Sequence, residues 1–393
     1  MAGILVLSTA LGLVGLAAAA SCSSFDRGPN SDAGDGQAPS PLEAGPESGP
    51  DAERPDADGI PLPCPPSDGG TVGPAAWQRR TLYAPTGRMY PFGIATDATH
   101  VTWAAQLGTD DAGPDTVPYN GSGEGIILRA RKDGVGTPVV LANRQPRARA
   151  LVLDGDGVYW TNQENDTTTL VRQGRDADCN AGCAPPTAIV TFPTGAVIDK
   201  LVRPQPGLLF ALANDGRSFR VALGTFPALV MQSGTYPSMT TTNTHMFTSA
   251  GLVPRVQRVP ISGAPPEDPY LVVPFIDGGR AGVSPIATDC SSLWMVREAP
   301  TPQLCRHDLA QAGSYATIAM LTINAFDLAA DAKYVYVASP NAGGLFIVDK
   351  SSKTSSREYS GNVWTIAVDD DGVYFGEHGT DPGAGRMMML VKK

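Results

Sequence analysis

Thr365-Ile-Ala-Val-Asp-Asp-Asp-Gly-Val-Tyr-Phe-Gly376 reads as two short apolar strands joined by a tight Asp/Gly turn. The same pattern stands at Gly93-Ile-Ala-Thr-Asp-Ala-Thr-His-Val-Thr-Trp-Ala104 and at Ala150-Leu-Val-Leu-Asp-Gly-Asp-Gly-Val-Tyr-Trp-Thr161. Taking the first residue after the turn as an anchor, the series runs Val101, Val158, Leu208, His245, Leu293, Val335 and Val373. Its ends lie 272 residues apart over six intervals, a mean of about 45. An Asp four residues before the anchor recurs as Asp97, Asp154, Asp289, Asp331 and Asp369, while Pro204 and Thr241 hold that place in the third and fourth units.

A period of about 45 residues built from short β-rich runs matches one four-stranded blade of a propeller. In the first unit the predicted strands are Phe92–Thr96, Val101–Ala105, Gly125–Arg131 and Thr137–Ala142. In the sixth they are Phe326–Ala330, Tyr334–Ala338, Gly344–Asp349 and Ser355–Tyr359. The seventh supplies only three, near Trp364–Val368, Gly372–Gly376 and Arg386–Lys392, and Arg79–Ala84 reads as a strand with no blade of its own. Lending that N-terminal strand to the last blade closes a ring without a free edge. The expected fold is therefore all-β, a seven-bladed β-propeller over residues 75–393. One small sheet cannot bury both faces alone, so Trp103, Trp160 and Trp294 are expected to pack between blades.

Upstream, residues 4–20 are apolar or small and carry no charge, and Ala-Ala-Ser precedes Cys22. This reads as an export signal over residues 1–21. The cysteine after small residues resembles a bacterial lipobox, which would make Cys22 the acylated N-terminus. Two features depart from that pattern: no Lys or Arg precedes the apolar run, and Ala19 stands where Leu is usual. Ordinary cleavage after Ala20 and an uncleaved anchor stay open as alternatives. Residues 22–74 are rich in Asp, Pro, Gly and Ser with almost no aromatic residue, a composition expected to form a disordered, extended tether. Between Asp26 and Pro63 nine acidic residues face only Arg27 and Arg54, so this stretch carries seven of the chain's ten net negative charges.

Of 393 residues only 17% are charged, below the roughly 25% usual for soluble domains, while 44 are Gly and 35 Pro. This composition excludes long helices and coiled coils. The net charge of −10 excludes a nucleic-acid binder, which needs a basic stripe.

The units Ile366-Ala-Val-Asp-Asp-Asp-Gly-Val-Tyr-Phe375 and Leu328-Ala-Ala-Asp-Ala-Lys-Tyr-Val-Tyr-Val337 resemble the YVTN/NHL-like propeller repeats of secreted bacterial proteins. Cys179-Asn-Ala-Gly-Cys-Ala-Pro-Pro-Thr187 resembles hairpin insertions in exported, myxobacterial-type propeller lipoproteins. The resemblance covers about Trp77 to Lys393. It implies the fold and a place in the cell envelope, but says little about function, because one propeller architecture hosts many.

Cys179 and Cys183 in one hairpin loop are expected to form a disulfide outside the reducing cytosol. Cys290 and Cys305, on neighbouring strands of the fifth unit, are expected to form a second, leaving Cys64 over. Zinc is the competing reading, but Cys179-x-x-x-Cys183 lacks a matching Cys or His pair.

The reactive inventory is thin. His100 and His245 fall in equivalent turns on the face opposite the mouth. No Gly-x-Ser-x-Gly elbow, Walker loop or dinucleotide fingerprint occurs in its required context. Loops joining second to third strands are expected to cluster at the mouth, and they carry Asp110, Asp111, Asp115, Glu164, Asp166, Glu377, His378 and Asp381. Such oxygen-rich loops suit Ca²⁺, although Asp and Gly also make good solvated turns. The sequence thus favours a monomeric, lipid-anchored, non-enzymatic module binding a protein or glycan. The alternative is a metal-dependent, lactonase- or lyase-like propeller enzyme.

Overall fold

The computed structural model describes residues 77–391 apart from 86–87, 109–123, 181, 183, 224–228, 233–237, 251–254, 265, 274–282, 290, 298–300, 312, 341–342 and 380–384. The expected signal, Cys22 and tether therefore lie outside the described residues. Among those residues no helix is long and apolar enough to cross a membrane.

Seven antiparallel four-stranded sheets follow one another along the chain. Their first strands are Arg88–Thr96, Leu151–Asp154, Ile198–Gln205, Ser238–Thr241, Val283–Thr288, Asp327–Ala330 and Val363–Val368, in blades 1 to 7. Each first strand packs on the next, and that of blade 7 packs on blade 1, so the ring is closed. The outer strand of blade 7 is Gln78–Tyr83, paired with Gly385–Val391 from the other end of the chain. This is the closure expected from the seventh unit's missing strand. Seven hydrophobic clusters fill the seven inter-blade spaces. Trp103 lies between blades 7 and 1, Trp160 between 1 and 2, and Trp294 between 5 and 6, all at most 1% exposed.

The recurring aspartates make the base of the ring. Asp97 Oδ1 accepts the backbone N–H groups of Thr99 and His100, at 2.9 and 2.7 Å. Asp289, Asp331 and Asp369 cap their own turns in the same way. Three of them also accept from the aromatic residue five positions on: Trp294 Nε1 at 2.7 Å, the Tyr336 hydroxyl at 2.5 Å and the Tyr374 hydroxyl at 3.3 Å.

The aspartates then reach across to the following blade. The residue just after the third strand is Lys132 in blade 1, Arg175 in blade 2 and Lys350 in blade 6, and each anchors its backbone N–H in the turn below. Lys132 pairs with Asp369 of blade 7 at 2.8 Å, Arg175 with Asp97 of blade 1 at 3.5 Å, and Lys350 with Asp289 of blade 5. Pro204 and Thr241 offer no carboxylate, and the facing residues of blades 4 and 5 are Ile261 and Leu309. Blade 3 has Leu223 there, yet Asp154 of blade 2 still finds a cation, because Arg203 supplies its Nε at 2.5 Å. The Asp97 carboxyl is held below the usual range: burial opposes ionisation, but the N–H groups of Thr99 and His100 and the Arg129 charge outweigh it.

Cys305 corrects an expectation. It carries a free thiol, wholly buried between blades 4 and 5, and burial pushes its pKa up. The ladder opposes it to Met295, and from there to Ser292, where the strand begins, the chain already spans about 10 Å. A disulfide needs Cα atoms within about 7 Å. Cys290 and Cys183 lie outside the described residues.

The two partners of a buried pair are costly to separate, whereas exposed pairs contribute little. Asp154→Asn and Lys132→Met should each lower the unfolding free energy by about 3 kcal/mol in urea titrations. Arg131→Met, which breaks an equally short pair with Asp133 on the open surface, should leave the midpoint unchanged.

Candidate functional site

One position in the repeat, nine residues before the anchor, decides the character of the mouth. It holds Phe92, Arg149, Asp199, Tyr236, Ser284, Phe326 and Trp364 in blades 1 to 7. In blades 1, 3 and 7 the pairing register skips at this residue, so Phe92, Asp199 and Trp364 sit in β-bulges. A bulge frees its residue from the ladder and re-aims the side chain. The first strands begin at this end of the ring, and here the bulged side chains meet across blade boundaries instead of filling them.

The contacts run continuously from blade 6 to blade 3. Phe326 stands edge-on to Trp364 with centroids 4.5 Å apart. Trp364 stacks flat on His378, at 4.7 Å and 10°. The imidazole meets Phe92 at 5.2 Å and Tyr90 at 5.4 Å, both edge to face. The Arg149 guanidinium lies 5.4 Å from the Phe92 centroid and pairs with Asp199. Each such ring pair contributes about 0.5–1.5 kcal/mol beyond area burial. Tyr90 and His378 are buried, Phe92, Arg149 and Trp364 are half-buried, and the two ends of the arc, Asp199 and Phe326, are exposed, Phe326 to 54%. A phenyl ring that open, in edge contact with the Trp364 indole, leaves apolar surface exposed at the mouth.

One residue further along the same strands, Lys200 of blade 3 reaches Asp327 of blade 6 at 3.6 Å. These blades are nearly opposite in the ring, so the pair spans the central channel. Asp327 is fixed there by the Ile366 N–H of blade 7, which donates to it at 3.0 Å.

Of the acidic-loop residues singled out as cation ligands, His378, Glu377, Glu164 and Asp166 are described. His378 is 8% exposed, and its Nε2–H donates to the Pro91 carbonyl at 2.8 Å. Burial lowers its pKa to about 4, the Pro91 bond only partly opposing the shift. It is a neutral ring in an aromatic stack and is not presented to a cation. Glu377 accepts the Tyr359 hydroxyl at 2.7 Å, with Arg386 at 3.8 Å. Glu164 and Asp166 are exposed around a tight turn of blade 2. Asp110, Asp111, Asp115 and Asp381 lie outside the described residues, and among the described ones no three His, Cys, Asp or Glu side chains gather to hold a metal.

No protein-family model matches the chain, and no curated protein matches it in sequence. Solved structures do match in shape. YCF48 bound to D1 peptide superposes with a TM-score of 0.54 at 13% identity, over 85% of this chain and 100% of that one. YCF48 from Cyanidioschyzon merolae gives 0.54 at 13%, over 80% and 98%. The WD40 domain of Toxoplasma gondii coronin gives 0.52 at 12%, over 80% and 89%. At these identities the likeness shows the β-propeller fold alone. The likeness to YVTN/NHL-like repeats stays a resemblance.

The His378 stack makes stability depend on pH. The unfolded imidazole takes up a proton near pH 6.5, while the folded one resists it down to about pH 4. Its contribution is complete above pH 6.5 and is lost as pH falls towards 4, on the order of 3 kcal/mol. Urea titrations at pH 7.5 and 4.5 should show that loss in the parent protein. His378→Phe, which keeps the stack on Trp364 but cannot titrate, should show a smaller loss by that amount.

Proposed function

We propose that the chain is a binding propeller that holds a segment of a partner protein against the aromatic arc at its mouth. The observation carrying this reading is the Phe326–Trp364 pair, an exposed aromatic anchor on a rigid ring, the residue types in which binding energy concentrates. The Lys200–Asp327 pair across the channel supports a ligand lying on the mouth instead of threading it. YCF48, whose structure carries a D1 peptide, is a propeller of similar shape with a peptide ligand. Arg149 and Asp199 at one end of the arc offer polar contacts that would orient such a segment. A glycan ring stacked on Trp364 is the second ligand class the arc would accept.

The reading extends to the rest of the chain as an exported protein, acylated at Cys22 and held off a bacterial membrane by residues 22–74. The Cys179–Cys183 bridge belongs to the same oxidising address. Labelling with a fatty-acid analogue in a bacterial host should mark the parent protein and leave Cys22→Ala unmarked.

Selection of a displayed random-peptide library on the full chain tests the mouth. Peptides enriched on the parent protein should bind Phe326→Ala about 30-fold more weakly, the loss expected for one hot-spot ring. Enriched peptides indifferent to both Phe326→Ala and Trp364→Ala would place binding elsewhere and end this reading.

A further inference from the structure

The inner hairpin of blade 1 reaches further towards the mouth than its counterparts. Its first strand begins thirteen residues before Val101, against ten before Val373 in blade 7. The extra residues include Arg88, which is only 9% exposed. Among the described residues neither its Nε nor its Nη1 has a hydrogen-bond partner. Arg88 opposes Gly108 and Tyr90 opposes Gln106, so Arg88 and Gln106 are diagonal neighbours on one face of the hairpin. Gln106 is 5% exposed, and its Nε2 is likewise unpartnered.

Two buried donors side by side, one of them charged, are rarely left unmet. A lysine or histidine in such a place can shed its proton, but a guanidinium cannot. Water would satisfy N–H groups but would not neutralise the charge. What meets both needs is an anion with at least two acceptor oxygens. The site offers one positive charge and one neutral amide, with Met89 and Tyr90 buried beside them. A second negative charge would be uncompensated there. A monoanion fits and a phosphate dianion does not.

We propose that Arg88 and Gln106 form a carboxylate-binding site on the rim of the mouth. The strand carries Arg88 two residues beyond Tyr90 and four beyond Phe92, about 7 Å and about 13 Å from these two members of the aromatic arc. A peptide lying on the arc would reach it with an Asp or Glu side chain or its C-terminal carboxylate. The site rests on the proposed function only for which molecule bears that carboxylate.

The test uses the full chain and sodium acetate as the probe, against sodium chloride at equal ionic strength and pH 7.5. Acetate should raise the Tm by about 3 °C at tenfold excess over its Kd, and sodium phosphate by less. Arg88→Lys, which keeps the charge but loses the planar donors, should abolish the acetate shift. Should that variant fail to fold, Gln106→Glu serves instead: it places a carboxylate of the chain beside Arg88 and should also abolish the response. Several results would overturn the proposal: a shift equal in the parent and Gln106→Glu, a larger shift in phosphate, or none. So would a response that appears only when Asp110, Asp111 and Asp115 are all changed to Asn, because the chain would then supply its own carboxylate. Peptides selected at the mouth should also lose affinity when their carboxyl groups are amidated. Failure of the acetate arm removes the site and leaves the Phe326→Ala result standing, so the two readings fail separately.

Discussion

The carboxylate four residues before five of the seven anchors is the constraint on which the ring depends. A blade is a small twisted sheet with two apolar faces, and it can stack on its neighbours at many angles unless something fixes the rotation. The aspartate does this at one end of the interface. Its Oδ1 closes the turn of its own blade, and its Oδ2 takes a cation from the next. Turn geometry and inter-blade geometry are thereby set by one side chain. The partners are largely buried, so neither tolerates the loss of the other. Where the carboxylate is missing, the facing position is Ile261 or Leu309, and the corner is packed instead of paired. The exception at Asp154 shows that the carboxylate has to be neutralised by some cation, whichever strand provides it: Arg203 comes from a first strand, not from the end of a third.

Ring closure makes this constraint collective. Lys132 and Asp369 join blade 1 to blade 7 at the base, while Gln78–Tyr83 completes the last sheet at its outer edge. The interface between those two blades holds Trp103, Tyr374 and a run of methionines at Met387 and Met389. Unbranched methionine side chains adapt to irregular gaps, which suits the seam where a strand from one end of the chain meets strands from the other.

Much of the architecture was legible in residues that face other blades, because packing forces those positions to repeat. Val101, Val158 and Val373 are anchors for the same reason in each unit, and the strands at Gly344–Asp349 and Ser355–Tyr359 follow directly from their spacing. The position after the third strand shows no pattern in sequence because it varies among Lys, Arg, Leu and Ile, and only the pairing of its Lys and Arg with the aspartate of the preceding blade gives it meaning. The aromatic arc escaped notice for a related reason. Phe92, Trp364 and Phe326 looked like the apolar first residues of buried strands, and nothing in a hydropathy pattern distinguishes a residue that fills an interface from one that a bulge turns towards the mouth. The signal was present in register: counting nine back from each anchor collects the whole ring. His378 misled in the opposite direction. Beside Glu377 in a polar loop it has the chemistry of a ligand, and only the stack on Trp364 and the Pro91 carbonyl shows that it is spent on structure.

The two ends of the ring have thus been left to different pressures. At the base, each blade must match its neighbour: where Pro204 and Thr241 replace the aspartate the facing residue is apolar, and where Leu223 replaces the cation Arg203 supplies one from another strand. At the mouth, the bulged position touches its counterparts through side chains alone and is free to differ. In sequence it is aromatic in blades 1, 4, 6 and 7, charged in blades 2 and 3, and serine in blade 5. That break in the symmetry is what a seven-fold scaffold needs to recognise a ligand that has none. Lys200 and Asp327 pair across the channel one residue below the aromatic line that runs from Phe326 past Trp364 to Phe92. The hairpin that overreaches its counterparts at Arg88 carries Phe92 on the same strand, so the unmet guanidinium stands beside that line.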